Sequence, residues 1–419
     1  MDKIAIGTKE INQISRTLTA IQGSEMLPGR DENGDFKVEI SKIIDEASTQ
    51  ATENATTDIL NIMNENIINY AQITSKIIKD GSNNKIIVPA FRVILNDTIY
   101  YKSNSTTLDV NDIDVGGSFV FGSDYFVWAG VPASGHEPVL KLSTSPSNPV
   151  GLTTPKIIGG FHFGKIRNSI TPSDVSDGIV PNSCWDIKHM PRCYLLGLAD
   201  PATYQIGGMV EVIPNSLWVD IYLISDGGGS GFNRLGFSKI NQLPLSGTEG
   251  LCWYDFVIRA KNVGKRLLNY MEWTQAAIGS PQGLNASNAN GWTKTTNTGK
   301  IKTAATNAAD ADSDYINGFN TSLLNVRDCV GNLWEWLGEM SIRQDATSWG
   351  WRNVLDTGEL SGDTDFGQAY LPYDYGIIAL IAGGARDHGV SAGSRAVNVG
   401  YVPWNVHVGV GSRFACESL

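Results

Sequence analysis

The chain has 419 residues, a net charge of −11, 45 glycines and only 18% charged residues. This length exceeds one ordinary compact domain, and the glycine-rich, weakly charged composition favours strands and loops over a helical bundle. The acidic balance and the lack of a basic run argue against a nucleic-acid partner, because phosphate binding needs clustered Lys and Arg.

Targeting signals are missing from the sequence. Residues 1–7 lack the apolar core of a signal peptide, and no run approaches the ~18 consecutive apolar residues of a membrane helix. The cysteines are odd in number and form no C-x-x-C pair, which is typical of thiols that stay reduced and pack as small hydrophobes. We therefore expect synthesis in a cytoplasm and no membrane insertion. The cysteines are Cys184, Cys193, Cys252, Cys329 and Cys416.

Residues 1–37 contain alternating acidic residues that invite a calcium-loop interpretation. An EF-hand starting at Asp31 needs glycine at its sixth position and glutamate at its twelfth, where this chain has Phe36 and Lys42. The Asn33-Gly34 pair is instead typical of a hairpin turn. We predict a small N-terminal attachment module over residues 1–37.

Residues 38–80 show a helical pattern. Apolar residues such as Ile40, Ile44 and Ile59 recur mostly at steps of three and four, and no Gly or Pro interrupts them before Gly81. A narrow apolar stripe on a long polar helix needs a partner, and isoleucine at both seam positions favours three strands. The pattern predicts a trimeric coiled-coil stalk, with an amphipathic helix lying on its own domain as the alternative.

Residues 85–155 are predicted to form strands. Short β-branched and aromatic runs alternate with turn residues, including an Asn96-Asp97 turn and an expected strand over residues 118–121. This spacing is typical of a β-sandwich, which we interpret as a spacer. The Ser- and Pro-rich residues 143–149 are interpreted as the linker into the last domain.

Residues 156–419 have the composition of a loop-rich domain on an aromatic core. Eight of the eleven tryptophans lie after residue 250. One helix is predicted over residues 253–261, and a second is predicted to begin at Asn269, because Glu272 completes a capping box. The whole chain is thus expected to be a multidomain α+β protein.

Three blocks of this domain resemble the formylglycine-generating-enzyme branch of the C-type-lectin fold. The blocks are Gly-Lys-Arg-Leu at 264–267 with Glu-Trp at 272–273, Gly-Asn-Leu-Trp-Glu-Trp at 331–336, and Gly-Gly at 383–384 with Gly-Ser-Arg at 393–395 and 411–413. The first block departs from the family pattern, since Leu268-Asn269 replace Pro-Thr. The resemblance implies a C-terminal C-type-lectin-like domain over residues 156–419.

This resemblance allows an enzymatic and a non-enzymatic interpretation. The related copper-dependent oxidases carry a cysteine pair or metal-binding histidines near the C-terminus, because their chemistry needs a thiolate–metal site. No cysteine lies between Gly383 and Arg413, and Cys416 stands alone after them. We therefore expect no enzymatic activity, no catalytic residue and no cofactor, with such an oxidase as the alternative.

Residues 383–416 resemble the variable repeat of the variable proteins of diversity-generating retroelements, like the major tropism determinant of phage tail tips. In such systems template adenines are mutated, so that AAC codons give other residues. Side chains there follow no strand or helix period, as expected of an exposed binding surface. The resemblance implies these ligand-binding positions: Ala385, Asp387, His388, Ser391, Gly400, Tyr401, Trp404, Asn405, His407, Val408 and Gly409.

Residues of the 331–336 block and of the C-terminal segment are expected to form a framework. Aromatic side chains fill the core, glycines permit tight backbone paths, and buried arginines satisfy loop carbonyls. The expected framework residues are Trp334, Trp336, Gly383, Gly384, Arg395 and Arg413.

The resemblance implies a phage tail-tip receptor-binding protein, a homotrimeric adhesin of the virion made in the host cytoplasm. Its expected partners are a bacterial surface receptor, which is a protein or a glycan, and tail or baseplate proteins that contact the N-terminus. A cellular or prophage-encoded surface adhesin is the alternative. A structural calcium ion is suggested only by the row Asp310, Asp312 and Asp314, which is more typical of a solvated loop.

Overall fold

A computed structural model of the chain describes residues 70–81, 84–147, 149–199, 207–280, 299–311, 313–342, 349–353, 368–372 and 377–419. The predicted attachment module (1–37) and most of the predicted stalk (38–80) lie outside these residues. The described part is mostly β with a few short helices, as the composition predicts. No helix in these ranges is long and apolar enough to span a membrane.

Residues 70–186 form antiparallel sheets in the orders β1-β4-β5, β2-β3-β6 and β10-β9-β7-β8, with β11 added on β9. Burial in β4 alternates from Phe91 to Leu95, so one face of that strand lies in the core. The strands are β1 Ala71–Ile73, β2 Ile78–Lys79, β3 Ile86–Val88, β4 Phe91–Leu95, β5 Thr98–Lys102, β6 Thr106–Leu108, β7 Ser123–Val131, β8 Val139–Ser143, β9 Thr153–Arg167, β10 Val175–Ile179 and β11 Trp185–Asp186.

The turn between β4 and β5 has the predicted residues. Asn96 and Asp97 have φ values of 49° and 59°, and Leu95 pairs with Thr98 across them. Two consecutive residues with positive φ define the tight hairpin turn whose twist matches the flanking strands. The strand expected at residues 118–121 is absent: this segment precedes β7 without forming a strand.

The end of the predicted stalk is not helical. Residues 71–73 form β1, which pairs with β4 through Ala71 and Val93, and Ala71 and Ile77 are fully buried. The main-chain groups of β4 need a hydrogen-bonding neighbour on this side, and β1 supplies it. The apolar spacing of three and four therefore does not continue as a helix to residue 80.

The predicted boundary at residue 155 falls inside one strand. The 15-residue β9 runs through it, and residues 157–163 of β9 are all buried. Both β8 and β9 pair with β7, so residues 143–149 connect strands of one sheet and are not an interdomain linker. A strand buried on both faces has no alternation to mark it in the sequence.

The C-terminal part contains small sheets in the orders β12-β13-β23-β16, β14-β15, β21-β20-β17-β22 and β18-β19. The last strand of the chain, β23, lies inside the first of these sheets. The strands are β12 Met209–Ile213, β13 Leu217–Asp220, β14 Ile224–Asp226, β15 Gly236–Ser238, β16 Arg266–Leu267, β17 Trp334–Ile342, β18 Trp349–Asn353, β19 Gln368–Pro372, β20 Ile377–Gly383, β21 Gly393–Asn398, β22 Val410–Gly411 and β23 Phe414–Glu417.

The two predicted helices are present. Helix α2 spans Trp253–Asn262, and α3 spans Tyr270–Ala276 with Asn269 as its N-cap and Glu272 completing the capping box. The further helices in the described ranges are α1 Tyr194–Ala199 and α4 Ser313–Ile316. One buried cluster packs Trp334, Trp336 and Phe256 against Phe414, and it supports the strands that lead into the C-terminal segment.

Candidate ligand-binding face

Two tryptophans of β17 lie in the core beneath the C-terminal segment. Trp334 and Trp336 are 4% and 1% exposed, and both lie in the same apolar cluster. Glu335, between them, points to the other side of the strand and is 1% exposed. The order Trp-Glu-Trp thus supplies two core side chains and one buried carboxylate.

Arg413 occupies the position opposite that carboxylate. Its Nε and Nη2 donate to the two oxygens of Glu335 at 2.7 and 3.0 Å. Nη1 donates to the carbonyls of Asp220 and Ile221, and Nη2 also donates to the carbonyl of Arg327. All five N–H groups of the guanidinium thus have acceptors in Glu335 and in main-chain carbonyls.

Two glycines make the turn after β20 possible. Gly383 and Gly384 have φ values of +97° and +95°, where other residues are strained. A Cβ on Gly383 would lie 2.3 Å from the carbonyl oxygen of Cys329, and one on Gly384 would lie 2.5 Å from the Cβ of Ala392. We use the term frame for these buried or conformationally restricted residues: Trp334, Trp336, Gly383, Gly384 and Arg413.

Arg395 does not belong to the frame. It is exposed in β21, where Arg395 and Val397 point to solvent between partly buried neighbours. This strand is at the edge of its sheet, and the period of two leaves one side uncovered. The two Gly-Ser-Arg blocks are alike in sequence, but only the second carries a buried arginine.

Most of the expected ligand-binding positions lie at the surface. Ala385 and Gly409 are the exceptions: Ala385 is fully buried in the apolar cluster, and the buried Gly409 accepts a hydrogen bond from the Trp334 amide. We use the term face for the remaining positions, which are exposed or partly exposed: Asp387, His388, Ser391, Gly400, Tyr401, Trp404, Asn405, His407 and Val408.

Main-chain hydrogen bonds hold the segment between β21 and β22 in place. The carbonyl of Tyr401 accepts from Ala379 in β20, and the carbonyl of Pro403 accepts from Trp253 at the start of α2. The carbonyl of His407 accepts from Gly247 and Val410. Three separate elements thus fix the path of this segment through groups that every residue type carries.

Aromatic contacts connect the face to the frame. The rings of Tyr401 and His407 meet edge-on at 5.4 Å, and Tyr401 also contacts Trp336 at 6.2 Å. Nε1 of Trp334 donates to Nε2 of His388 at 3.2 Å. Half-buried aromatic side chains give contact area at low entropy cost.

The charges at the face are mixed. Asp387 is exposed, and its carboxylate lies 3.2 Å from Nδ1 of His388. Burial lowers the pKa of His407, and the neighbouring His388 and Arg386 lower it further against the opposing effect of Asp387. His407 Nδ1 accepts from the Gly409 amide at 3.1 Å, so the imidazole is used in its neutral form.

Sequence reasoning missed several members of this surface. Val397, Val399 and Val406, which stand among the face residues in sequence, are 37–52% exposed. The valines could not be found from their type, since isolated valines in a strand-rich chain are usually buried. Only their placement on an edge strand and the following loop exposes them.

All five cysteines are free and buried, as expected of thiols that pack as small hydrophobes. Cys416 does not stand alone, however, because its Sγ lies 3.3 Å from that of Cys193. Burial raises the pKa of Cys184, Cys252 and Cys329 to about 12. Buried thiols with raised pKa values are poor nucleophiles and metal ligands.

Among the described residues, the acidic row at 310–314 does not form a cation site. Asp310 pairs with Lys302 at 3.1 Å, Asp314 lies in α4, and Asp312 is outside the described residues. Within the described ranges no three His, Cys, Asp or Glu side chains are grouped to hold a metal ion.

The chain is similar to known proteins in both of its described parts. Residues 77–186 match the family model of the Mtd second domain, and residues 227–386 match that of the sulfatase-modifying factor enzyme 1-like domain. The P3c variant of the Major Tropism Determinant superposes with a TM-score of 0.62 at 22% identity, covering 85% of this chain and 88% of that one. The U1 variant gives 0.59 at 21%, covering 82% and 84%. The chain has the fold of the Major Tropism Determinants.

A curated relative agrees with this likeness. The tail fiber receptor-binding protein of Bordetella phage BPP-1 is 27% identical over 241 residues, which are 52% of this chain and 54% of that protein. The match therefore spans about half the length of the curated relative. The predicted resemblance to variable proteins of the Major Tropism Determinant type is confirmed, and so is the formylglycine-generating-enzyme-like character of the C-terminal fold.

Proposed function

We propose that this chain is a phage tail receptor-binding protein, an adhesin that binds a bacterial surface ligand through the face. The printed function of the BPP-1 relative and the tropism-determinant fold support this assignment. The bound receptor, the position at the tail tip of the virion and the lack of enzymatic activity are parts of the same proposal.

One observation carries the proposal: the loop that bears the face is held by its main chain. The carbonyls of Tyr401, Pro403 and His407 are bonded to three surrounding elements, whereas Gly400 has no side chain and Val408 is 52% exposed. Such a surface can change its side chains without losing its shape, because backbone bonds do not depend on residue type. This is the property that a diversified binding surface needs.

The assembly that we propose is a homotrimer. Residues 38–69 keep the helical pattern of a three-stranded stalk, and residues 1–37 would then contact tail or baseplate proteins. Three faces on one particle turn weak single contacts into useful avidity. The variable positions would lie within residues 385–409.

The first test is deep sequencing of the 3′ end of the gene across a population grown from the source. We expect substitutions at adenine-derived codons of the face, including Tyr401, His407 and Val408, while Gly384 and Arg413 stay fixed. Equal variation, or equal invariance, along residues 331–419 would overturn the diversified-face assignment.

A direct test uses labelled full-length protein on bacteria from the same source. Val408→Asp places a charge on the face. Val115→Asp is the matched control, because Val115 is 74% exposed and lies among the strands of residues 70–186, outside the face. We expect cell binding to fall at least tenfold for Val408→Asp only, since a buried unpaired charge in an interface costs several kcal/mol. Equal binding by both variants would contradict the proposal.

A further inference from the structure

Arg386 is a buried cation at the edge of the face, and the described residues provide no counter-ion for it. It is 8% exposed, and among the described residues no acceptor bonds its Nε or its Nη1. Its backbone amide donates to the carbonyl of Asn332, which fixes the residue beside the frame. Buried guanidinium donors without acceptors are costly, and a ligand that supplies acceptors recovers that free energy.

Other buried arginines of this chain show how unusual this is. Arg413 has acceptors for all of its donors. Arg167, at 6% exposure, donates from Nε, Nη1 and Nη2 to three carbonyl oxygens. Arg259 and Arg327, at 4% and 1% exposure, each leave Nε unbonded, but each donates from a terminal nitrogen to a carbonyl oxygen. Among the described buried arginines, Arg386 is the one in which both Nε and Nη1 are unbonded.

The charged groups around Arg386 are already engaged with others. Lys300 donates to both oxygens of Glu249 at 2.6 and 2.7 Å. The Asp387 carboxylate, which follows Arg386 in the chain, lies against His388. Burial, and to a smaller extent the positive charge of Arg386, lowers the pKa of both His407 and Lys300. Among the described residues, none of these groups bonds Nε or Nη1 of Arg386.

We propose that Arg386 binds an oxyanion, a carboxylate or phosphate group that the ligand presents to the face. Guanidinium donors fit both groups, and such charge-assisted bonds are among the strongest in proteins. Tyr401, His388 and His407 lie on the same surface and would contact the part of the ligand that carries the anion. Assigning the anion to a receptor rests on the proposed function, whereas anion binding by Arg386 does not.

The test is a titration of the purified full-length chain with methyl phosphate and, separately, with acetate. Chloride keeps the ionic strength constant, so that screening does not imitate binding. We expect a saturable rise in the unfolding midpoint with at least one of the two anions, and the better anion identifies whether phosphate or carboxylate is the preferred group. Arg386→Gln should bind that anion at least tenfold more weakly, and Arg395→Gln, an exposed arginine of the same segment, should behave as the unmodified chain.

A second readout covers the case in which Arg386→Gln does not fold. The ¹⁵Nε–H resonances of the arginines are followed in the unmodified chain during the same titrations. One resonance should shift saturably, and Arg386→Lys should remove that resonance from the spectrum. The absence of any saturable shift, or a shift that persists in Arg386→Lys, would overturn the anion site.

Cell binding separates this inference from the proposed function. If cells bind the unmodified chain and Arg386→Gln equally well, Arg386 does not bind an anion of the receptor. If the chain binds methyl phosphate or acetate through Arg386 but binds no cells, the adhesin proposal fails and the anion site stands.

Discussion

Arg413 and Glu335 form a fully buried, two-pronged ion pair that joins the C-terminal strand to β17. The bonds measure 2.7 and 3.0 Å, and the side chains are 0% and 1% exposed. The same guanidinium also donates hydrogen bonds to the carbonyls of Asp220, Ile221 and Arg327. One side chain near the end of the sequence thus ties together segments that are about two hundred residues apart.

Replacing Arg413 with methionine should lower the free energy of unfolding of the C-terminal part by about 3–5 kcal/mol, because Glu335 then remains as an unpaired buried charge. Arg395→Met is the matched control and should change it by less than ~0.5 kcal/mol, since Arg395 is exposed. Chemical denaturation followed by tryptophan fluorescence measures both. Similar losses in the two variants would contradict the distinction between the two Gly-Ser-Arg blocks.

Gly384→Ala should destabilise the protein by about 1–3 kcal/mol, because its φ of +95° strains any other residue and the new Cβ would collide with Ala392. Gly400→Ala is the control from the face, where a Cβ would meet only the Asn398 side chain at 3.1 Å. Its unfolding midpoint should stay close to that of the unmodified chain. A larger loss in Gly400→Ala would show that the face does not tolerate new side chains.

The folded protein should lose stability in mild acid because His407 becomes protonated. Its folded pKa lies below the ordinary 6.5, so in the window below pH 6.5 the unfolded chain binds a proton more readily than the folded one. The stabilisation by neutral His407 is therefore complete above 6.5 and is lost as the pH falls towards the depressed value. Protonation also removes the Nδ1 acceptor of the Gly409 amide.

Unfolding midpoints measured between about pH 5 and 8 test this for the unmodified chain and for His407→Gln. The difference between the two should shrink as the pH falls below 6.5. The neighbours that act on His407, namely Asp387, His388 and Arg386, are present in both proteins. A difference that stays constant over this range would contradict the assigned role of His407.

The thiols should resist modification in the folded protein. All five are buried, and burial raises the pKa of Cys184, Cys252 and Cys329 to about 12. A thiol reagent at about pH 8 should react slowly with the native chain, since few thiolates are present. After denaturation without reductant, all five should react. Fast reaction of a native thiol would reopen the oxidase alternative, and a denatured count of three would place a disulfide between Cys193 and Cys416.

The sequence by itself determined the local features whose causes are local. The capping box at Asn269 and Glu272, the Asn96-Asp97 turn and helix α2 follow from residues within a few positions of each other. The ordered Gly, Trp and Arg blocks also sufficed to indicate the lectin-like fold, because a frame of glycines and buried aromatics leaves a fixed spacing in the chain.

Tertiary structure alone decided which residues of the C-terminal segment are buried. Arg395 and Arg413 stand in matching blocks, yet one lies on an edge strand and the other beside Glu335. The burial of Ala385, the contact of the Cys193 and Cys416 thiols and the lack of acceptors for two Arg386 donors among the described residues likewise depend on residues far away in sequence. A side chain's surroundings are set by the elements that converge on it, and residue spacing along one segment does not carry that information.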